Sequence, residues 1–203
     1  MVRLPSKEQF SMSKPIQFAP ELAVSQWFNT PKPLTLSELR GRPVFLHAFQ
    51  LLCPGCVSEA IPQVKRIERV FGRTDLQIVG LHTVFEHHAA MSPVTLEAFI
   101  HEYQLVSPIA VDLPDDRSTT PVTMQRFGLR GTPSSVLIGR DGAILSRVFG
   151  VEDDLALGAR IATALSSFGN VQFADRRNSS GSCDTGRCEA TDVPDRQSSA
   201  APS

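Results

Sequence analysis

Neither sign of charge dominates this chain: 20 lysines and arginines stand against 21 acids, a net charge of −1 over 203 residues. The basic residues are scattered rather than striped, so the field that gathers nucleic acid or an anionic membrane surface is missing, and neither partner is expected. Long apolar runs are missing too. No stretch approaches the roughly 20 residues a membrane span needs, and Met1-Val2-Arg3-Leu4-Pro5-Ser6-Lys7-Glu8-Gln9-Phe10 holds no apolar core of the secretory kind. A cytoplasmic protein is the expectation. There is no internal repeat and no coiled-coil pattern. Cysteine is scarce, at four residues, too few to staple a fold of this length. In a reducing compartment a close cysteine pair is catalytic or metal-binding rather than structural.

What is present is an ordinary globular composition, 41% hydrophobic and 20% charged, that reads as one domain with extensions. Residues 1–21 are polar and carry no periodicity, which predicts a loose N-terminal arm. Trp27-Phe28 and Leu34 to Gly41 read as a hairpin or turn-and-helix before a buried strand at 43–49. Val57, Ile61, Val64, Ile67 and Phe71 recur at helical spacing up to Gly72, and Leu76 to Thr83 reads as a second buried strand. Ser92-Pro93 is a cap and first-turn pair for a helix with Leu96, Phe99, Ile100 and Tyr103 on one side, and Pro108 to Asp112 is a short third strand.

A helical stretch from Pro121 to Phe127 leads through Gly131-Thr132-Pro133 to a strand at 135–139, which Asp141-Gly142 turns back into 143–149. A last helix opens at Glu152-Asp153-Asp154 and is predicted to bury Leu155, Ile161, Leu165 and Phe168. Alternating β and α followed by a hairpin and a helix predicts an α/β sandwich around a mixed sheet, spanning residues 22–170. Residues 171–203 turn to Ser, Asp, Arg, Gly and Pro, a composition that cannot offset its own ordering entropy, so disorder is expected there.

The chemistry-bearing motif is Cys53-Pro54-Gly55-Cys56, placed where the first buried strand turns into a helix. A Cys-x-x-Cys pair there reads as a redox site. The helix start puts unpaired N–H groups and the positive dipole end at the first sulfur, favouring thiolate, while the second sulfur lies within reach of a disulfide formed on the first. A zinc site would need about four ligands, and no second Cys-x-x-Cys or histidine pair stands at finger or ribbon spacing.

The strand-Cys-x-x-Cys-helix unit, the Gly131-Thr132-Pro133 corner and the Asp141-Gly142 hairpin, in that order, resemble the thioredoxin superfamily over about residues 22–168. The extra helix-strand segment between about 84 and 125 makes the chain similar to its TlpA-like and redoxin branch. The resemblance implies a thioredoxin-like α/β sandwich and a thiol-disulfide oxidoreductase, with Cys53 the attacking thiolate and Cys56 the resolving thiol. Pro133 would be a cis-proline facing the pair, and the Thr132 backbone would bind a substrate segment. Glu59 and His47 stand where the resemblance implies a proton-transfer group. No cofactor and no metal at the dithiol are implied; a protein or small-molecule disulfide and a dithiol electron donor are. Where the family has Trp before the first cysteine, this chain has Leu52, and the helix-kinking proline comes six residues after the second cysteine, at Pro62, instead of five.

Two other functions compete. A peroxiredoxin-like thiol peroxidase, an antioxidant enzyme, would carry Pro-x-x-x-Thr/Ser-x-x-Cys, but Leu46 and Gln50 fill those positions. A non-enzymatic metal carrier would use His82, His87 and His88 with Cys183 and Cys188. The last two cysteines could alternatively form a local disulfide or exchange with Cys53.

Overall fold

A computed structural model describes residues 16–166. The expected disorder of 171–203, Phe168, and the Cys183/Cys188 pair lie outside the described residues.

Six strands form one mixed sheet: β1 (Val24–Phe28), β2 (Val44–Phe49), β3 (Gln77–His82), β4 (Ile109–Asp112), β5 (Ser134–Ile138) and β6 (Ile144–Phe149), in the order β1-β4-β3-β2-β5-β6. β2, β3 and β4 run parallel, and β1, β5 and β6 antiparallel to their neighbours. β2 is central and buried at all six positions, which is why apolar residues fall on both its faces and the sequence, His47 aside, shows no alternation. Its even residues Val44, Leu46 and Ala48 pack with Met124, Phe127 and Leu129 on one face. Phe45 and Phe49 look the other way, Phe45 into a cluster with Val64, Ile67, Leu157 and Ile161 and Phe49 into one with Ile61, Leu96 and Ile100. Helices α1 (Ile61–Phe71), α2 (Pro93–Glu102) and α4 (Asp154–Ser166) therefore cover one side of the sheet, and α3 (Val122–Arg126) the other.

The local signals act as their chemistry requires. Ser92 Oγ accepts the Thr95 N–H at 3.3 Å, capping α2 with Pro93 in its first turn. Gly142 takes φ +83°, the conformation the β5–β6 hairpin needs, while Asp141 Oδ1 accepts the Ala143 N–H.

Three expectations change. Trp27-Phe28 ends a sheet strand, β1, paired with β4 some eighty positions on, rather than a local hairpin. The loose arm expected to reach residue 21 is docked from Gln17: Gln17 O accepts the Ile144 N–H, Ala19 N–H donates to Gly142 O, and Ala19 is buried. In α4, Leu155 is exposed, and the buried stripe is Leu157, Ile161 and Ala164.

At the C-terminal end of β4 the buried carboxylate of Asp112 accepts from Thr83 Oγ1 and from the backbone N–H groups of Thr123 and Met124, at 2.7–2.9 Å. It ties β3, β4 and the start of α3 together. Asp112→Ala would leave two buried N–H groups and a hydroxyl without acceptors, each costing about 1–3 kcal/mol. A loss of about 3 kcal/mol or more in the denaturant-unfolding free energy is the expected result.

Candidate active site

The chain leaves β2 at Phe49, makes a tight turn in which Gln50 O accepts the Cys53 N–H, and enters a helix. Cys53 caps that helix with its own sulfur: its carbonyl accepts the Val57 N–H at 3.1 Å, and its Sγ accepts the Cys56 N–H at 3.2 Å. An oxygen-bearing N-cap side chain holds the same third N–H. Pro54, in the first helical position, gives up no N–H the helix would use.

From Cys56 to Ala60 the helix widens into a π-type turn, in which the Ile61 N–H reaches back to Cys56 O. One extra residue per turn puts Cys56 and Ile61 on the same buried face, at 0% and 1% exposure.

The two sulfurs thus live in different surroundings. Cys53 is half-buried at the surface, whereas Cys56 is enclosed with Phe49, Leu51 and Met91. Burial first, and the adjoining Cys53 sulfur second, push the Cys56 thiol up to about 12, against opposing contacts from the Gln50 backbone and the Thr132 side chain.

Across from the pair, the Thr132–Pro133 peptide bond is cis. Thr132 O lies 3.5 Å from Cys53 Sγ. The Pro133 ring packs over Gly55, where an added Cβ would stand 3.5 Å from Pro133 Cδ. Gln50, buried three residues before Cys53, donates from Nε2 toward Thr132 Oγ1 at 3.4 Å, so both sides of the site are bridged by side chains as well as by the sulfur. Motif reading did not single out Gln50 as a structural link; its position in the turn after a buried strand was the only available signal.

His47 stands on the α1-facing side of β2, between the rings of Phe45 and Phe49, at centroid distances of 6.5 and 5.4 Å. Its neighbour across the strand pairing is Gly80, where a Cβ would come within 3.2 Å of His47 Nε2 and 3.0 Å of Ile109, so glycine there makes room for the imidazole. Burial drives its pKa down to about 4, leaving a neutral ring at neutral pH. Phe49, whose ring stacks on His47, belongs to the cluster that encloses Cys56.

Glu59 is exposed and borders a surface cleft with Ser58, Pro62, Arg66 and Glu152. The three histidines near the end of β3 differ in burial: His82 is buried against Phe49, and the adjacent His87 and His88 are exposed. Among the described residues no group of three or more His, Cys, Asp or Glu is placed to hold a metal ion, and no helix is long and apolar enough to cross a membrane.

Comparison with known proteins agrees with this geometry. A crystal structure of a thioredoxin-like superfamily protein matches at 46% identity and TM-score 0.72, over 75% of this chain and 98% of that one. A thiol-disulfide isomerase from Corynebacterium glutamicum matches at 41% identity and TM-score 0.70, over 74% and 98%. The thiol-disulfide oxidoreductase ResA of Bacillus thuringiensis (strain Al Hakam) is 24% identical over 119 residues, 59% of this chain and 61% of the relative. The chain thus spans about three fifths of the length of the curated relatives it matches. The expected thioredoxin-like sandwich is the observed fold, and with the Redoxin family matched across residues 17–158, the chain belongs to that family.

Proposed function

We propose that the protein is a thiol-disulfide oxidoreductase acting as a disulfide reductase. The observation that carries this is the division of labour at the dithiol: an accessible Cys53 sulfur receiving the Cys56 N–H and facing Thr132 O, above an enclosed Cys56 thiol. Cys53 thiolate attacks one sulfur of a substrate disulfide, forming a mixed disulfide and expelling the other sulfur as a thiolate. Cys56 then gives up its proton and attacks Cys53, releasing the second substrate sulfur and closing a Cys53–Cys56 disulfide. Two electrons pass to the substrate, and a dithiol donor restores the pair. The names carried by the ResA and isomerase relatives support the same chemistry.

Thr132 supplies backbone groups to a bound substrate segment beside Pro133. Of the two proton-transfer candidates, His47 lies on the Cys56 side of the sheet, but the burial that holds its pKa down to about 4 makes its ring a weak base; Glu59, on the outer surface, would act only through solvent. The reducing direction and a cytoplasmic setting belong to the proposal, and a reduction potential below the cytosolic glutathione poise is the expected measurement.

The test is a Cys56→Ala variant incubated with a disulfide-bonded protein. With no resolving thiol, one substrate chain should remain attached through Cys53, visible as a mass adduct that a reductant removes. Absence of any adduct under conditions where the unaltered protein turns over would overturn the mechanism.

A further inference from the structure

Beside the Thr132–Pro133 loop lies a shallow hollow between the chain entering β5 and the outer strand β6, lined by Leu129, Arg130, Ser134, Arg147 and Phe149. The Phe149 ring covers Gly131, where a Cβ would come within 2.9 Å of it, so the absence of a side chain at 131 lets the aromatic ring lie against the loop. The Arg130 guanidinium sits over that ring, 5.5 Å from its centroid. Phe149 nonetheless remains 55% exposed. Arg147 reaches only the neutral Gln17 Oε1, at 3.2 Å. No acidic residue lines the hollow, and neither arginine has an ion-pair partner among the described residues.

An aromatic plate and two unneutralised guanidinium groups, Arg130 two residues before the Thr132 whose carbonyl faces Cys53 and Arg147 on β6 opposite Val136, form a recognition surface rather than a structural one. We propose that Arg130, Phe149 and Arg147 select the substrate: an extended polypeptide segment bearing an acidic residue two or three positions from the cysteine that Cys53 attacks. This rests on the disulfide-reductase reading. The offset follows from the spacing, since an extended chain advances about 3.3 Å per residue and the hollow begins two residues from Thr132. Exposed charge pairs are each worth little, so the two arginines together discriminate by about three- to tenfold, and salt weakens the effect.

The experiment uses the full chain and two synthetic disulfide peptides of one sequence, differing only in Asp or Lys at the second and third positions on both sides of the attacked cysteine. The acidic peptide should show the higher kcat/KM by about three- to tenfold, mostly through KM, with the ratio shrinking as salt rises. Arg130→Glu with Arg147→Glu should invert the preference. The ratio is the readout, because a folding defect lowers both rates together. Equal rates in the unaltered protein, or a ratio that survives the charge reversal, would overturn the docking surface and leave the dithiol chemistry standing. Failure to reduce either peptide would overturn both.

Discussion

Replacing Cys53 with serine should abolish disulfide reduction, with residual turnover of an insulin-type substrate below about one part in a thousand. Serine keeps the N-cap geometry, since its oxygen can accept the Cys56 N–H that Cys53 Sγ now holds at 3.2 Å. The fold is therefore retained, and the loss is chemical: a hydroxyl is not ionised at neutral pH and does not attack disulfide sulfur. Cys56 cannot take over. It is fully enclosed, and burial, the first cause that pushes its thiol up, is unchanged by the substitution, so it stays protonated at neutral pH and out of reach of a substrate disulfide.

The same asymmetry separates the two cysteine variants. Without Cys56 the first attack proceeds and the complex stalls; without Cys53 nothing begins. Following the rate of disulfide cleavage for both variants, with circular dichroism to confirm folding, checks this. Activity above about 1% in the Cys53→Ser protein would sink the assignment of the nucleophile.

Much of this arrangement was legible in the chain because local chemistry and tertiary role coincide. Val44 to Phe49 is apolar on both faces because it is the central strand, and Ser92-Pro93 and Asp141-Gly142 specify their turns with residues few other conformations want. The dithiol and Pro133 were readable for a similar reason: a Cys-x-x-Cys after a strand and a Thr-Pro before one are short patterns with narrow uses.

What escaped depends on phase or distance. In α4 the run Leu155-Ala156-Leu157 offers two leucines on opposing sides, and only packing on the sheet decides for Leu157. The π-type turn from Cys56 to Ala60 changes the helical phase, so ordinary spacing does not tell which side Glu59 faces. β1 finds β4 far along the chain, and its half-exposed pattern carries no strand signature of its own. Asp112 looks like any surface aspartate until Thr83 and the start of α3 converge on it.

The buried histidines make acid stability the second large effect. His47 and His82 are each held down to about 4 by burial, against an ordinary value of 6.5. Both His82 ring nitrogens and His47 Nδ1 are buried without a hydrogen-bond partner among the described residues, so no acceptor there waits to stabilise an imidazolium. Between pH 6.5 and 4 the unfolded chain binds these two protons and the folded chain does not, so stability rises with pH across that window. The contribution is fully present above about pH 6.5 and is lost as pH falls toward 4. At 1.36 kcal/mol per unit, the loss approaches about 3 kcal/mol per histidine, a large share of a typical folding free energy of about 5–15 kcal/mol. Asp112 acts in the opposite sense at the acid end. Burial raises its carboxyl above 3.8, so the folded state keeps that proton longer and regains some stability. Denaturant unfolding at pH 7 and pH 5 should therefore differ by several kcal/mol in the unaltered protein, and the difference should shrink in a His47→Leu, His82→Leu double variant. An equal pH dependence in the two proteins would mean that other groups drive acid unfolding and that both imidazoles take up protons without unfolding the sheet.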